Sequence, residues 1–517
     1  MSAEILPLTD EYTAYLHDES KTVGHAESIS FPVSEAEIGQ VLRRCSAEGT
    51  RVTVQGNHTG LTAACVPGGG HILSLSRMCR VTGMRIGADG TVYLRVQPGL
   101  SLGALNRMIA EKRFDVSGWD ADSLNAYRKF QTLPPQYFTP DPTETSASVG
   151  GMTACNSSGA KTYRYGPTRC AVSALRLVLA DGDVIALRRG ECFARGREFT
   201  LRTEGGREKR GVLPDYTMPR CKNASGYYAA DDMDLIDLLI GSDGTLGVFS
   251  EIELRLIPLP NAIWGVNCFF ETLAQSVDFV DAVKPLGLAA IEIFDGHALE
   301  ILRAYRDGGV PVPPGFESLV YVEIHEKDAA AALETLRAVG AAMERSGGSA
   351  ANTWCARSRH DRARLLLLRH KVPESVNALI AQRKRSCSAI AKVGSDMAVP
   401  DERFRDVLAL YLKDLKTAGL EYAFWGHVGN NHLHVNILPR TEKDMAAGKA
   451  MFARWAEAVV AMGGTVSAEH GIGKNKQNLL RTLYGESGQR QMAAVKRLFD
   501  PDGILGIGNL FPEEYLY

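Results

Sequence analysis

Phe424-Trp-Gly-His-Val-Gly-Asn-Asn-His-Leu-His-Val-Asn-Ile437 is a stretch in which a glycine-bracketed turn leads into six residues of alternating polarity. His432, His434 and Asn436 share one side of this alternation, and three aliphatic residues share the other. A period of two predicts a β-strand with one polar and one apolar face. Because unpaired buried polar groups are costly, the three polar side chains require either solvent or a functional partner.

A second polar segment, Ser467-Ala-Glu-His-Gly-Ile-Gly473, favours a functional cluster over a solvated strand face. Two histidines and a carboxylate from separate segments form a ligand set for a borderline divalent metal with one open position. We expect His427, His434 and Glu469 to bind zinc, manganese or a similar ion. His470 lies beside one of these ligands and is expected to remain free as a base near neutral pH.

Composition limits the class of protein. The 517 residues could form about three domains or one two-domain enzyme, and the hydrophobic share of 45% is ordinary for a globular chain. No apolar run approaches the roughly 20 residues of a membrane span, and the first residues do not resemble a signal peptide. The net charge of −2 gives no indication of nucleic-acid binding. The ten cysteines include no C-x-x-C pair, which predicts reduced thiols in a cytoplasmic protein, with peripheral membrane association left open.

Glycine-rich turns divide the first half of the chain. Residues 55–60 follow a predicted strand, and their small side chains allow several N–H groups to converge on one anion, with a tight hairpin as the alternative. Small residues between 140 and 159 would let the backbone approach a flat ligand. A third cluster lies between 239 and 249. The order of strands, turns and helices predicts an α+β fold and differs from the strand–GxGxxG–helix of a Rossmann unit.

Two further segments affect the domain organisation. Pro258 and Pro260 indicate a boundary between domains. Residues 191–220 form a basic insertion with weak periodicity, which predicts a surface excursion, with a partner-docking loop as the alternative.

The motifs of the whole chain together resemble those of one flavoprotein superfamily. In chain order they are Gln55-Gly-Asn-His-Thr-Gly60, Gly150-Gly151 with Asn156 and Gly159, Tyr165-Gly166, Gly241-Ser-Asp-Gly-Thr-Leu-Gly247, Gly426 to Ile437, Ala468-Glu-His-Gly-Ile-Gly473 and Phe499-Asp-Pro-Asp-Gly-Ile-Leu505. This order resembles the vanillyl-alcohol-oxidase/PCMH superfamily over about residues 30–512. The most similar branch contains FAD-linked D-2-hydroxyacid dehydrogenases, which act on D-lactate or D-2-hydroxyglutarate, and the flavin subunit of glycolate oxidase.

The resemblance implies a particular α+β architecture. A leader at residues 1–30 would precede a PCMH-type FAD-binding domain of two subdomains at residues 31–260. A cap domain with an antiparallel, ferredoxin-like sheet would occupy residues 261–485. Residues 486–517 would return to the FAD-binding domain.

The resemblance also implies roles for individual residues. The FAD pyrophosphate would be wrapped by Gln55, Gly56, Asn57, His58, Thr59, Gly60 and Leu61. The flavin and ribityl region would be lined by Thr145, Ser146, Gly150, Gly151, Asn156, Ser157, Gly159 and Tyr165. The adenine side would be contacted by Gly244, Thr245, Gly247 and Val248. In the metal-dependent branch, the matching residues His427, His434 and Glu469 bind the metal, and His470 is the catalytic histidine.

The substrate carboxylate also requires cations. Arg369 and Lys392 lie in segments where the resemblance places substrate-binding residues, and a solvated basic face is the alternative for both. His432 and Asn436 complete the predicted substrate contacts.

Three positions depart from the usual motifs of the family. His58 stands in the first loop, where some superfamily members attach the flavin covalently, although a hydrogen-bonding role fits this branch better. His432 replaces an asparagine of the metal motif and is a candidate extra ligand. Gly506-Ile-Gly-Asn509 stands where a lysine commonly ends the terminal motif.

The implied reaction is FAD-dependent oxidation of a D-2-hydroxyacid to the 2-oxoacid, with hydride transfer to flavin N5. The alternatives are an electron-transfer subunit that contains flavin, an oxidase for another alcohol, and a flavin-free zinc hydrolase. Without an NAD fingerprint or cluster cysteines, the expected electron acceptor is a quinone, an electron-transfer flavoprotein or an iron–sulfur subunit. A homo-oligomer is also expected.

Overall fold

The structure, a computed structural model, describes residues 4–304 and 312–517. The first half of the chain forms two main sheets with helices packed around them. Its strands are β1 (Leu6–Pro7), β2 (Ser28–Ser30), β3 (Val52–Gln55), β4 (His71–Ser74), β5 (Val81–Ile86), β6 (Val92–Val96), β7 (Gln136–Tyr137), β8 (Val172–Val178), β9 (Val184–Arg188), β10 (Glu198–Arg202), β11 (Glu208–Val212), β12 (Val248–Arg255) and β13 (Ile257–Pro258). Its helices are α1 (Glu35–Glu48), α2 (Leu102–Glu111), α3 (Ala121–Thr132), α4 (Val149–Cys155), α5 (Thr162–Tyr165) and α6 (Ile236–Leu239).

The two sheets correspond to two subdomains. The first has the order β1-β2-β4-β3, with β4 parallel to both β2 and β3. The second has the order β5-β6-β12-β8-β9 and is antiparallel. The region predicted as a leader thus supplies β1 and β2 to the first sheet. The two-subdomain PCMH-type fold predicted from the sequence is confirmed.

The second half of the chain is built on one large sheet. Its strands are β14 (Ala262–Phe270), β15 (Ala290–Asp295), β16 (Ser318–Glu326), β17 (Thr353–Ala356), β18 (Val393–Gly394), β19 (Met397–Ala398), β20 (Tyr422–Gly426) and β21 (His432–Ile437). Its helices are α7 (Leu273–Val283), α8 (Gly296–Ala304), α9 (Ala329–Arg345), α10 (Arg359–Lys384), α11 (Phe404–Ala418), α12 (Glu442–Ala461) and α13 (Gln477–Phe499).

The large sheet positions the polar strand at residues 432–437. Its order is β17-β14-β16-β15-β20-β21-β18, all antiparallel, and β19 also pairs with β21. The predicted antiparallel cap sheet and the strand at residues 432–437 are both confirmed. Helix α10 packs Leu368 and Val372 against Phe269 and Phe294 on one sheet face, so it forms a cover over that face.

The end of the chain lies against the first subdomain. The Val52 N–H donates to the Ile504 carbonyl oxygen over 2.7 Å, and the Gly506 N–H donates back to Val52 over 3.0 Å. Helix α13 is interrupted at Gly485, where φ is +71°. Among the helices within residues 4–304 and 312–517, none is both long and apolar enough to cross a membrane.

Candidate active site

Three histidines and one glutamate form a buried cage at the edge of the large sheet. His427 follows β20, His432 and His434 lie on β21, and Glu469 lies in the loop between α12 and α13. His427 Nε2 is 3.2 Å from Glu469 Oε2, and His434 Nε2 is 3.2 Å from Glu469 Oε1. A glycine at 426 makes this approach possible, because a Cβ there would lie 2.5 Å from the His432 carbonyl oxygen.

The spacing of these atoms fits a metal ion. Ligand atoms at about 2.0–2.2 Å from a tetrahedral or octahedral metal lie roughly 2.8–3.6 Å from one another. The two 3.2 Å separations fall in this range. One potential ligand atom from each of His427, His432, His434 and Glu469 lies within 4.8 Å of the other three. Imidazole and carboxylate together suit zinc or a similar borderline ion.

Outer contacts orient two of the imidazoles. His427 Nδ1 lies 2.5 Å from Glu292 Oε1, and His434 Nδ1 lies 3.3 Å from the Ser395 carbonyl oxygen. Burial opposes protonation of His427, but Glu292 raises its pKa above the ordinary value. A carboxylate or carbonyl behind each ring, which leaves the other nitrogen for the ion, is the usual support of a metal-bound histidine.

Lys222 lies inside the cage wall. Its ammonium is 2.6 Å from Glu469 Oε2, and its side chain is only 2% exposed. Burial alone would raise the pKa of Glu469, yet Lys222 and His427 bring that pKa well below the ordinary value. Glu469 is therefore a carboxylate that is ready to accept a cation.

His470 lies beside the cage, with its ring stacked on that of His434 at a centroid distance of 5.4 Å. Its Nδ1 is 3.3 Å from Asp396 Oδ2, and its Nε2 is 3.7 Å from Glu469 Oε1. Asp396 also accepts the backbone N–H groups of residues 469 and 470 and the ammonium of Lys476. Burial lowers the pKa of His470 to about 4, and its ring is still 25% exposed. Asp396 thus orients a neutral imidazole whose second nitrogen faces the cage.

The predicted substrate contacts do not all reach the cage. Arg369 does, because its Nε is 3.2 Å from Glu292 Oε2 and one terminal nitrogen is 3.4 Å from Thr143 Oγ1. Lys392 lies just before β18, is exposed, and forms no ion pair within the described part of the chain. Asn436 is buried and donates to the His434 carbonyl oxygen, so its amide is used within its own strand.

The first glycine loop has the geometry of an anion site. Among the described residues, no acceptor receives the backbone N–H groups of residues 56–61. His58 has φ +56°, which turns the chain into a concave nest of N–H groups. The Asn57 amide donates to the Ser146 carbonyl oxygen over 2.6 Å, which joins this loop to the second one. Free N–H groups at the meeting point of two loops fit the pyrophosphate of FAD.

Other predicted FAD residues serve different purposes in the fold. The Gln55 amide donates to Tyr15 and Cys65, so its side chain is used inside the domain. Thr145 and Ser146 flank the nest through their loop, and Gly150 and Gly151 begin α4. The other predicted glycine positions differ in how much space surrounds them. A Cβ on Gly159 would lie 2.1 Å from the Asp141 carbonyl oxygen, whereas one on Gly244 would meet only Val54, at 4.0 Å.

Several of the predicted FAD-binding residues contact other residues of the protein. The side-chain contacts are Asn156 with the Arg169 N–H, Ser157 with the Met152 carbonyl oxygen, Tyr165 with His325, and Thr245 with Ser242 and Tyr227. Val248 is buried, and a Cβ on Gly247 would lie 2.6 Å from Leu177. These contacts therefore hold the loops in shape. Of the four residues predicted on the adenine side, Gly244 is the one with open space around it.

The cage is in direct contact with the glycine loops. Ser158 Oγ lies 3.5 Å from Glu469 Oε2, and Cys155 Sγ lies 3.4 Å from the Glu469 carbonyl oxygen. Thr62, just after the nest, donates to the His470 carbonyl oxygen over 3.4 Å. A ligand lying along the loops would therefore face the metal cage directly.

Three functional contacts were missed from the sequence. Glu292 is an acidic residue in the apolar strand Ala290–Asp295, which is a signal that sequence inspection could have used. Asp396 lies four residues after Lys392, in a segment already considered for substrate binding. Lys222 carries no such signal, because it follows the basic insertion.

Family models match two regions of the chain. A profile described as "FAD binding domain" matches residues 26–119 and 131–188, and one described as "FAD linked oxidases, C-terminal domain" matches residues 259–510. An alkyldihydroxyacetonephosphate synthase structure shares the fold, with a TM-score of 0.60 at 13% identity over 94% of this chain and 77% of its own.

Curated relatives cover almost the whole chain. A D-lactate dehydrogenase [cytochrome] of Arabidopsis thaliana is 25% identical over 98% of this chain and 77% of its own length. A D-2-hydroxyglutarate dehydrogenase of Stutzerimonas stutzeri (strain A1501) is 26% identical over 98% of this chain and 96% of its own. The glycolate oxidase subunit GlcD of Bacillus subtilis (strain 168) is 25% identical over 94% and 89%, respectively.

The fold and the matched domains define a flavoprotein oxidoreductase with a PCMH-type FAD-binding domain. Within that class, the chain combines an FAD-binding domain with the C-terminal domain of FAD-linked oxidases.

Proposed function

We propose that the protein oxidises a D-2-hydroxyacid to the 2-oxoacid, with FAD and a divalent metal ion, and with His470 as the base. The observation that carries this proposal is the direct contact between the cage and the glycine loops, where Ser158 Oγ lies 3.5 Å from Glu469 Oε2. The relatives named as D-lactate and D-2-hydroxyglutarate dehydrogenases support the substrate class.

The two cofactors divide the chemistry between them. When bound, FAD would supply the hydride acceptor, and a metal ion held by His427, His434 and Glu469 would supply Lewis acidity. The nest at residues 56–61 would hold the pyrophosphate through its free N–H groups.

Arg369 would bind the substrate carboxylate. Glu292 fixes the guanidinium through Nε at 3.2 Å, and the terminal nitrogens, one of them 3.4 Å from Thr143 Oγ1, would bind the substrate. A planar guanidinium forms paired hydrogen bonds with a carboxylate, and these define the orientation of the acid. The carbinol carbon would then be positioned between the cage and the glycine loops.

His470 would accept the hydroxyl proton at Nε2. Asp396 lies 3.3 Å from the other ring nitrogen, so it orients the imidazole and stabilises its protonated form. A positioned base contributes about 100- to 10,000-fold to such a reaction. The acidification of an oxygen bound to the metal contributes more than such a base, on the order of 10 kcal/mol. We therefore expect loss of the metal to reduce turnover more than loss of His470 alone.

Anaerobic flavin reduction tests the proposal. The purified protein would be mixed with D- and L-lactate, D-2-hydroxyglutarate and glycolate, with and without a chelator, while flavin absorbance is followed. We expect bleaching by a D-2-hydroxyacid or glycolate that the chelator slows. A protein without flavin absorbance would favour the hydrolase, and a flavin that no hydroxyacid bleaches would favour an electron-transfer subunit.

The reduced flavin must be reoxidised by another component. We propose a quinone, an electron-transfer flavoprotein or an iron–sulfur subunit as the acceptor, in the cytoplasm or at a membrane surface, and a homo-oligomeric enzyme. Reoxidation rates with each acceptor class, and the mass of the protein in solution, would test these points.

A further inference from the structure

His432 is buried in a way that ordinary core histidines are not. Its side chain is 0% exposed, and neither ring nitrogen has a hydrogen-bond partner among the described residues. His71, which is also fully buried, instead contacts Ser28 Oγ at 2.9 Å and Ser30 Oγ at 2.7 Å. A buried polar group without a partner costs about 1–3 kcal/mol. His432 therefore requires a partner, above all at Nδ1, that the described residues do not provide.

The position of the ring indicates what that partner is. His432 Nδ1 is 4.0 Å from Glu469 Oε2, and the ring centroids of His432 and His434 are 4.4 Å apart. A ligand atom of His432 lies within 4.8 Å of those of His427, His434 and Glu469. The ring thus faces the centre of the cage together with the three expected ligands.

The other nitrogen of His432 repeats the pattern of its neighbours. His432 Nε2 is 3.2 Å from Asp396 Oδ1, although the angles fall outside hydrogen-bond alignment. His427 has Glu292 in the same place, and His434 has the Ser395 carbonyl oxygen. An acceptor behind the ring and a free nitrogen in front are the signature of a metal-bound imidazole.

We propose that His432 is a fourth protein ligand of the metal ion and not the substrate contact that was the other role predicted from the sequence. A ring with no exposed surface is not accessible to a substrate. Three imidazoles and one carboxylate satisfy the four-coordinate preference of zinc, so the substrate would enter as a fifth ligand. This inference rests on the metal site of the proposed function and specifies its coordination.

Cobalt binding gives a test that does not depend on activity. The protein is stripped with a chelator, and Co²⁺ is titrated into the wild type, His432→Asn, His432→Gln and His427→Asn. Affinity is measured by chelator competition, and coordination by the visible absorption of the bound ion, which is intense for four-coordinate and weak for six-coordinate Co²⁺. His297→Asn, a half-exposed histidine on α8 outside the cage, serves as the matched control.

We expect wild type and His297→Asn to bind one Co²⁺ with intense bands. His432→Asn should weaken binding by more than the roughly 10- to 100-fold attributed to an outer-shell partner, and should weaken the bands. If His427→Asn loses the metal while His432→Asn keeps wild-type affinity and spectrum, the site stands and the role of His432 is overturned. If wild type binds no Co²⁺, both the site and the role of His432 are overturned.

Thermal unfolding separates ligation from a purely structural role. Without metal, His432→Asn and His432→Gln should melt close to the wild type, because each replaces one buried polar group with another. With metal, the rise in Tm should be smaller for both variants than for the wild type. An equal rise in Tm for all of these proteins would contradict the proposal.

Discussion

Replacement of Glu292 by glutamine tests how the cage is held together. Glu292 is buried on β15, with one carboxylate oxygen 2.5 Å from His427 Nδ1 and the other 3.2 Å from Arg369 Nε. Glutamine keeps the size of the side chain but removes its charge. The variant therefore loses a charge-assisted contact to a metal ligand and leaves Arg369 without its counterion.

Two independent magnitudes predict the size of the effect. A hydrogen bond to a charged group contributes about 1.5–3 kcal/mol, which corresponds to roughly 10- to 150-fold in affinity. Outer-shell partners of metal ligands are worth about 10- to 100-fold. We therefore expect the Kd for the metal to rise about 10- to 100-fold in Glu292→Gln. The free energy of unfolding should also fall, by up to about 3–5 kcal/mol, because a buried guanidinium loses its partner.

A second buried glutamate provides the matched control. Glu323 on the neighbouring strand β16 lies 2.6 Å from His325 Nε2 and accepts from Tyr321, but its histidine is not in the cage. Glu323→Gln should lower the Tm while leaving the Kd for the metal unchanged, as measured by competition with a chelator. The reasoning is refuted if Glu292→Gln binds the metal within twofold of the wild type, or if both variants weaken binding equally.

Three further predictions follow from single contacts. Arg369→Lys should raise KM for the hydroxyacid about 10- to 100-fold with a smaller change in kcat, because a lysine cannot form paired hydrogen bonds with a carboxylate. An unchanged KM in steady-state kinetics would contradict this. Acid precipitation should release FAD into the supernatant, because His58 Nε2 is already 3.1 Å from Gln55 Oε1; flavin that stays in the pellet would indicate a covalent bond. Burial lowers the pKa of His71 to about 4 from an ordinary 6.5, so the unfolded state binds more protons between those values. This residue should therefore remove about 3 kcal/mol of stability as pH falls from 6.5 to 4, and the pH dependence of Tm should be shallower in His71→Gln.

The elements that could be predicted from the sequence are those whose signal is local. Strand β21 was predicted with its observed bounds, because strict alternation defines both its period and its faces. The turn at residues 56–61 was identified from its small residues, and its free N–H groups agree with that interpretation. By contrast, the hairpin of β10 and β11 was described only as a surface excursion, although β10 buries Phe199 and Leu201 in the core. Its second strand is basic and lacks an apolar face.

The contacts that were not predicted join residues distant in the chain. Glu292 meets a histidine 135 positions later, and Lys222 meets Glu469 247 positions later. No local period relates such pairs, so only the folded sheet brings them together. The environment of His432 was predicted only in part. Its side of the strand was correctly predicted, but its complete burial depends on β19, which pairs with β21, and on the glutamate loop close to its ring.

The charges around the cage explain why a metal and an acid would bind there together. Three buried carboxylates, Glu292, Asp396 and Glu469, are each paired with one cation, namely Arg369, Lys476 and Lys222, respectively. Metal ligation requires neutral imidazoles, and in that state these three acids and three bases balance one another. A divalent metal therefore adds two uncompensated positive charges to a buried region, which is unfavourable on its own. The carboxylate of a hydroxyacid would offset one of these charges, and the hydroxyl oxygen, once its proton has passed to His470, would offset the other at the metal itself. Metal and substrate should thus increase each other's affinity by the same factor, because such coupling is reciprocal.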